Sequence, residues 1–230
     1  MVRAVSFDVW NTLLDTTRFY GILAEELSGI SGKPAEELYR GILAARGRAL
    51  RARLDGLFKR VLIDSAELFA ENLGVSAEEL FRAVTRTLRN TGISSLLYSD
   101  VAGMLRELRE AGYKLAVIGN VLFWPGMVTR YILDAVGVLD YFDLTVFSDE
   151  VGLQKPGREI FEYTAEKLGV GVNSLVHVGD SVENDLAGAV IAGAKATLVN
   201  RELETSIVRI APNAYIVNSL KHLPRVLNQL

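Results

Sequence analysis

Residues 5–12, VSFDVWNT, place a carboxylate directly after a short apolar run. The apolar residues at the start of the chain predict a buried strand over residues 2–8, which Asp8 ends. A partly buried carboxylate at such a position can act as a nucleophile that divides one difficult displacement into two easier steps. For this segment taken alone, an aspartate that caps a turn is the alternative interpretation.

The chain after residue 93 alternates strand-like and helix-like segments. Short runs of Val, Ile and Leu predict strands, and longer segments with helical spacing, several of them ended by glycine, predict helices. The predicted strands are 114–118, 143–147, 174–178, 196–199 and 214–217, and the predicted helices are 101–111, 127–136, 159–168 and 185–192. This alternation is typical of an α/β fold, a doubly wound parallel sheet with helices on both faces.

The block that follows the first strand has a different pattern, because strand-like runs disappear and apolar residues recur at helical spacing. Ser76 and Glu79 form a capping-box motif that predicts the start of the fourth helix of this block. We predict that residues 16–93 form an inserted α-helical bundle, the cap domain, and that residues 1–15 and 94–230 form the α/β core domain. We expect the cap domain to lie as a lid over the carboxyl ends of the strands.

The composition argues against several classes of function. Apolar residues make up 50% and charged residues 23%, which excludes a disordered chain, and the net charge of −3 favours neither nucleic acid nor a membrane surface as a partner. The chain has no cysteine, and its two histidines, His177 and His222, are too far apart in sequence to suggest a histidine metal centre. We find no signal segment and no apolar run long enough to span a bilayer, so we expect a cytoplasmic protein.

Polar residues also follow two of the strands predicted further along the chain. Asn120 ends the segment LAVIGN, and Asp180 ends the segment VHVGD, five residues before Asp185. Because ligands of parallel sheets bind at the carboxyl ends of the strands, we expect Asp8, Asn120 and Asp180 to converge on one rim of the sheet.

The carboxylates of Asp8, Asp180 and Asp185 would repel one another at that rim. Two unit charges 4 Å apart repel by about 4 kcal/mol at an effective dielectric constant of about 20, so such a cluster calls for a bound cation. Oxygen ligands favour Mg²⁺ over softer metals. A helix start with acidic residues in its first turn also accounts for Asp185, and this alternative stays open.

The segments around Asp8 and Asn120, the Lys155-Pro156 step and the pair Asp180 and Asp185 resemble, in this order, the four motifs of the haloacid dehalogenase (HAD) superfamily. Most members of that superfamily are Mg²⁺-dependent phosphatases. The resemblance implies that Asp8 is the nucleophile, that Lys155 holds Asp8 and the transferring phosphoryl group, and that Asn120 donates its side-chain amide to a phosphate oxygen.

The resemblance also implies a complete set of site residues. The catalytic residues would be Asp8, Thr12, Asn120 and Lys155; the substrate-binding residues Trp10, Asn11, Gly119, Asn120 and Lys155; and the Mg²⁺ ligands Asp8, Asp180, Asp185 and the backbone carbonyl of Trp10.

Two positions depart from the pattern of the superfamily. Trp10 stands where the phosphatases have a second aspartate, which protonates the leaving oxygen and later activates water, a role worth about 10²–10⁴-fold in rate. Tryptophan has no titratable proton and cannot do this. Gly119 stands where Ser or Thr is usual, so that position offers a backbone N–H and no hydroxyl.

The resemblance and the departures leave three functions open, each with a small molecule as the partner. The first is a Mg²⁺-dependent hydrolase of small phosphorylated metabolites that works through an aspartyl-phosphate and prefers aryl or acyl phosphates to alkyl phosphates. The second is a 2-haloacid dehalogenase, because that branch has an aromatic residue at the position of Trp10, although its members work without metal. The third is a non-catalytic family member that binds a phosphorylated ligand.

Overall fold

The computed structural model describes residues 1–230 and contains one seven-stranded sheet. Its strands are β1 (Ala4–Phe7), β2 (Lys114–Gly119), β3 (Leu144–Phe147), β4 (Leu175–Gly179), β5 (Lys195–Val199), β6 (Ile207–Ala211) and β7 (Ala214–Val217). The strand order is β3-β2-β1-β4-β5-β7-β6, and every neighbouring pair is parallel except β6 and β7. The predicted α/β fold is confirmed, and β1, which leads to Asp8, lies between β2 and β4.

The chain divides into two compact units, of which the α/β unit comprises residues 1–15, 97–120 and 137–230. The helices of this unit are α5 (Val101–Glu110), α7 (Ser148–Val151), α8 (Arg158–Lys167), α9 (Gly188–Ile191) and α10 (Leu223–Leu227). Ile160 and Phe161 of α8 and Ala189 of α9 pack in one buried cluster with Ala116 and Ile118 of β2. Burial of this apolar surface holds the helices against the sheet.

Three elements of the α/β unit were not predicted: the four-residue helix α7, the strand β6 and the helix α10. The edge strand β6 pairs only with β7, in antiparallel orientation and with a register shift between Arg209 and Ala211. Its residues are partly or fully exposed, so the sequence lacks the apolar run that identifies the central strands. The helix α10 is only five residues long, too short for a helical period to stand out.

The helical unit comprises residues 16–96 and 121–136. Its helices are α1 (Thr16–Ser31), α2 (Ala35–Leu54), α3 (Val61–Leu73), α4 (Ala77–Thr87) and α6 (Gly126–Ala135). The capping box is present, since Ser76 Oγ accepts from Glu79 N at 3.2 Å and Ser76 N donates to Glu79 Oε2 at 2.8 Å. None of the helices combines the length and the apolar character needed to cross a bilayer.

Residues 121–136 pack with the helical unit, whereas the sequence pattern assigned them to the α/β domain. The reason is aromatic packing: the rings of Phe123 and Phe69 lie 4.3 Å apart, and those of Trp124 and Phe19 lie 4.8 Å apart. Such contacts join distant parts of the chain and leave no periodic signal in the sequence. The role of the helical block as a lid stays a prediction.

Candidate active site

Asp8 and Lys155 form a buried ion pair at the carboxyl end of β1. Asp8 directly follows the strand, and its N–H donates to the carbonyl of Val178 on β4 at 2.8 Å. Lys155 Nζ lies 2.6 Å from Asp8 Oδ1, and the Lys155 side chain is 2% exposed whereas that of Asp8 is 14% exposed. Asp8 Oδ2 makes no hydrogen bond within the protein. The Asp8 carboxylate is therefore held by the lysine through Oδ1, while its Oδ2 stays without a partner in the protein.

Asn120 fixes the backbone of Lys155. Its Oδ1 accepts from Lys155 N at 3.0 Å, and its Nδ2 donates to Lys155 O at 2.8 Å. Both polar atoms of the Asn120 side chain are therefore engaged with a single residue, and one Nδ2–H remains. The predicted role of Asn120 as a donor to phosphate stays a prediction; its observed contacts place the lysine.

Asp185 is the second carboxylate partner of Lys155. Lys155 Nζ donates to Asp185 Oδ1 at 2.6 Å, His177 Nε2 lies 3.1 Å from the same oxygen, and Ser181 N donates to Asp185 Oδ2 at 2.9 Å. The segment Val182–Ala187 forms a π-helical turn, and α9 follows it, so the predicted helix 185–192 begins earlier and with a wider turn. This turn brings the Asp185 carboxylate back to the N–H of Ser181, the residue that precedes the turn.

Ser6 and His177 extend this network beneath the site, and neither was predicted. The two residues are paired in the register of β1 and β4, and Ser6 Oγ lies 2.9 Å from His177 Nδ1. Because a carboxylate only accepts, His177 Nε2 carries the proton that faces Asp185, and Nδ1 accepts from Ser6. Burial lowers the pKa of His177, although Asp185 opposes this, so the ring is neutral. A single histidine in an otherwise apolar strand was the only signal in the sequence.

The charges of the site set the pKa values of its members. Burial raises the pKa of Asp8 to about 7, with Asp185 and Asp180 adding to the rise and Lys155 opposing it. Burial also disfavours a charged Asp185, but Lys155 and His177 hold the pKa of that carboxyl well below its usual range. Although burial disfavours its ammonium form, the two carboxylates raise the pKa of Lys155 above its ordinary value. Lys155 therefore stays charged between the two carboxylates.

Asp8, Asp180 and Asp185 bring three carboxylate oxygens within 4.8 Å of one another. A single ammonium group, that of Lys155, lies between two of them. Three carboxylates against one ammonium leave excess negative charge, and an all-oxygen donor set of this size suits a hard divalent cation. The residues present therefore fit Mg²⁺.

The predicted residues Trp10, Asn11 and Thr12 form a tight turn after Asp8. Leu13 N and Leu14 N both donate to the carbonyl of Val9, at 2.8 and 2.9 Å. Asn11 has a φ of 63°, a left-handed conformation that Asn tolerates better than most residues, and its Nδ2 donates to Asp180 Oδ2 at 3.2 Å. Thr12 is fully buried, and its Oγ1 has no hydrogen-bond partner.

A protein-family model described as haloacid dehalogenase-like hydrolase matches residues 2–193. This match spans the sheet through β4 and all the site residues described above. The chain belongs to the haloacid dehalogenase-like hydrolase family. It is therefore a hydrolase, and the resemblance of its four motifs to that family is confirmed.

Three known members illustrate the range of the family. A glyceraldehyde 3-phosphate phosphatase of Methanothermobacter thermautotrophicus is 29% identical over 214 residues, which are 88% of this chain and 88% of that one. The pyrimidine 5'-nucleotidase YjjG of Escherichia coli is 40% identical over 162 residues, 70% of this chain and 68% of its own. The structure of a dehalogenase with an intermediate complex has a TM-score of 0.71 and 25% identity, and covers 98% of this chain and 97% of that one.

The departure from the family pattern at Gly119 coincides with a close steric contact. A Cβ atom added to Gly119 would lie 2.8 Å from two ring atoms of Phe147, which is buried at the end of β3. The Ser or Thr that the family usually has here would therefore collide with the ring. Gly119 leaves room for the Phe147 ring, and a Ser or Thr at this position would require the ring to shift.

A substitution of Gly179 tests the placement of Asp185. A Cβ atom added to Gly179 would lie 2.2 Å from Asp185 Cγ, so Gly179→Ala must displace that carboxylate and its hold on Lys155. We expect kcat to fall about 100-fold, as a displacement of about 1 Å can cause. Steady-state hydrolysis of an aryl phosphate and a thermal melt check this. The control is Gly103→Ala, because Gly103 lies in α5 with nothing near its added Cβ, and equal activity of the two variants would contradict the assignment.

Proposed function

We propose that this protein is a Mg²⁺-dependent phosphatase of small phosphorylated metabolites. One observation carries the proposal: Asp8 Oδ2 is free to react while Asp8 Oδ1 is fixed by a buried lysine, within a cluster of three carboxylates that fits a divalent cation. The phosphatase and the nucleotidase among the relatives support a phosphorylated metabolite as the substrate.

Asp8 and Lys155 have the central chemical roles in this proposal. Asp8 Oδ2 attacks phosphorus, and the bond between phosphorus and the leaving oxygen breaks as the aspartyl-phosphate forms. Water then attacks the same phosphorus, which releases phosphate and restores the Asp8 carboxylate. The Lys155 ammonium orients Asp8 through Oδ1 and stabilises the negative charge on the phosphoryl oxygens in both steps.

Asp8, Asp180 and the backbone carbonyl of Trp10 would hold Mg²⁺, with Asp185 completing the acidic cluster. When bound, the ion would supply positive charge for the phosphoryl oxygens and favour the ionised form of Asp8. Asp185 already accepts three hydrogen bonds, from Lys155, His177 and Ser181, so its main task in the proposal is to hold the lysine. Asn11 orients Asp180 through its side-chain amide.

Trp10 decides which phosphates are good substrates. The protein places no titratable group at this position, so a leaving oxygen receives no proton from residue 10. Aryl and acyl leaving groups carry their negative charge without help, whereas an alkoxide does not. We therefore propose a preference for aryl and acyl phosphates over alkyl phosphates.

A 2-haloacid dehalogenase is the second candidate, and Trp10 together with the similar dehalogenase structure favours it. Asp8 Oδ2 would then attack carbon, and halide would leave without a proton. The acidic cluster argues against it, because unneutralised carboxylates repel a carboxylate substrate. The phosphatase therefore ranks first.

The choice between the two activities is tested with a substrate panel. We expect the wild-type protein to release phosphate from 4-nitrophenyl phosphate and acetyl phosphate with Mg²⁺, and no halide from 2-chloropropionate with or without it. Asp8→Asn should abolish release, and mass spectrometry should detect a phosphorylated Asp8 in the wild type alone. Release of halide without Mg²⁺ would replace the phosphatase by the dehalogenase, and release of neither product would leave a non-catalytic binder.

Mg²⁺ should stabilise the folded protein, because it binds the native carboxylate cluster and not the unfolded chain. We expect the melting temperature to rise with Mg²⁺ concentration and the rise to disappear in Asp180→Ala. Differential scanning calorimetry measures both. Glu183→Gln is the control, since Glu183 is an exposed acid three residues after Asp180, in the π-helical turn, and should leave the rise unchanged. A wild-type protein whose melting temperature ignores millimolar Mg²⁺ would contradict the metal site.

Trp10→Asp should restore a group that can protonate the leaving oxygen. We expect kcat/KM for alkyl phosphates to rise about 10-fold or more, and kcat/KM for aryl phosphates to change little. Trp10→Asn is the matched control, because it has the same size as aspartate but no titratable proton. Equal rates for the two variants, both folded and both stabilised by Mg²⁺, would show that the missing acid does not limit this enzyme.

A further inference from the structure

Hydrogen bonds join the turn over residues 9–14 to other segments of the α/β unit, which serve as its anchors. Asn11 donates to Asp180, the carbonyl of Leu13 accepts from Tyr98 N at 3.1 Å, and the carbonyl of Thr12 accepts from the side chain of Arg201 at 2.9 Å. In two of these hydrogen bonds a backbone carbonyl group of the turn is the acceptor. The backbone of the turn is therefore held by donors from Tyr98 and Arg201, and the Asn11 side chain by an acceptor from Asp180.

Arg201 is the anchor that comes from furthest along the sequence. It follows β5, and its Nη2 donates to both Thr12 O at 2.9 Å and Asp100 Oδ1 at 3.2 Å, while its Nη1 donates to Asp100 Oδ2 at 2.9 Å. Its guanidinium carbon lies 3.8 Å from the centre of the Tyr98 ring. The planar group is thus held on one face by stacking and on its edge by a bidentate carboxylate.

Asp100 is itself fixed by the segment after β7. Ser219 Oγ donates to Asp100 Oδ2 at 2.7 Å, and Leu220 N donates to the same oxygen at 2.8 Å. Burial opposes ionisation, but the hydrogen bonds from Arg201, Ser219 and Leu220 hold the pKa of Asp100 below its ordinary value. A carboxylate with this many donors keeps the guanidinium in one place.

The contacts of Arg201 differ from those of an ion pair that only stabilises the fold. Arg201 Nε is buried and has no hydrogen-bond partner, which costs free energy. The guanidinium therefore satisfies Thr12 O and Asp100 at the expense of one of its own donors. The Thr12 carbonyl lies two residues beyond Trp10, whose carbonyl is a proposed Mg²⁺ ligand.

We propose that Arg201 is a positioning residue: through the Thr12 carbonyl it fixes the turn that presents the Trp10 carbonyl and Asp8 to Mg²⁺ and substrate. This inference rests on the proposed function, because it concerns how that site is held. Arg201 touches neither substrate nor reacting atoms in this role. It acts on the backbone of the turn, so its effect should appear in metal affinity and kcat more than in KM.

The test compares Arg201→Met with Arg109→Met. Arg109 forms the matched ion pair: its Nη1 lies 2.6 Å from Asp143 Oδ2, an oxygen that also accepts from a backbone N–H, that of Leu115 near the start of β2. Both variants lose one guanidinium–carboxylate pair of the α/β unit. Only the Arg201 variant loses a contact with the turn.

We expect Arg201→Met to weaken Mg²⁺ binding about 10- to 100-fold, as loss of an outer partner of a metal site typically does. Isothermal titration calorimetry with Mg²⁺ alone measures this, and amide hydrogen exchange by NMR should show faster exchange at Leu13 and Leu14. The kcat should fall while KM changes little. Arg109→Met should match the wild type in all of these, and Arg201→Lys should recover part of the loss.

Equal Mg²⁺ affinity and equal amide exchange in Arg201→Met and Arg109→Met would overturn the inference. If Arg201→Met does not fold, Arg201→Lys replaces it, because lysine keeps the charge but loses the planar two-nitrogen fork that joins Thr12 O to both Asp100 oxygens. A lysine variant with wild-type affinity and exchange would overturn the inference equally. A wild-type protein that does not bind Mg²⁺ would contradict the proposed function instead, and amide exchange would still decide whether Arg201 orders the turn.

Discussion

The buried ammonium group of Lys155 is the constraint on which the site depends. Its two carboxylate partners, Asp8 and Asp185, each lie 2.6 Å away, and removal of one partner of a buried pair typically costs about 3–5 kcal/mol. Several neighbouring features serve this one contact. Asn120 holds the lysine backbone, and Gly188 lets α9 approach so closely that an added Cβ would lie 3.0 Å from the backbone of Pro156.

The contact with Lys155 gives the carboxylates of Asp8 and Asp185 different roles. Asp185 accepts from Lys155 and His177 through Oδ1 and from Ser181 N through Oδ2, so both of its oxygens are engaged within the protein and only Oδ1 holds the lysine. Asp8 gives the lysine one oxygen and keeps the other free, and its burial raises its pKa to about 7. Burial thus disfavours the ionised form of Asp8. Additional positive charge near Asp180 would favour that form, which is the nucleophile.

Backbone and side chain have separate roles in the turn after Asp8. The side chain of Trp10 cannot transfer a proton, but the turn itself is fully built, with hydrogen bonds to the carbonyl of Val9 inside it and anchors from Asp180, Tyr98 and Arg201 outside it. The backbone carbonyl of residue 10 can bind a metal whatever side chain stands there, as long as the turn keeps its shape. The loss of the acid at position 10 therefore narrows the proposed range of leaving groups and leaves the proposed metal site intact.

The sequence by itself determined the family, the positions of most strands and helices along the chain, and the identity of the residues at the strand ends. These features are local: an apolar run, a helical period or the Ser76 capping box lies within a few neighbouring residues. The tertiary structure alone decided that residues 121–136 pack with the helices, that β6 pairs at an exposed edge, and that Ser6 meets His177 and Arg201 meets Thr12. The last two contacts join residues 171 and 189 positions apart, and they exist because the sheet places β1 beside β4 and β4 beside β5. Strand order is set by the packing of the whole chain, so no local pattern encodes it.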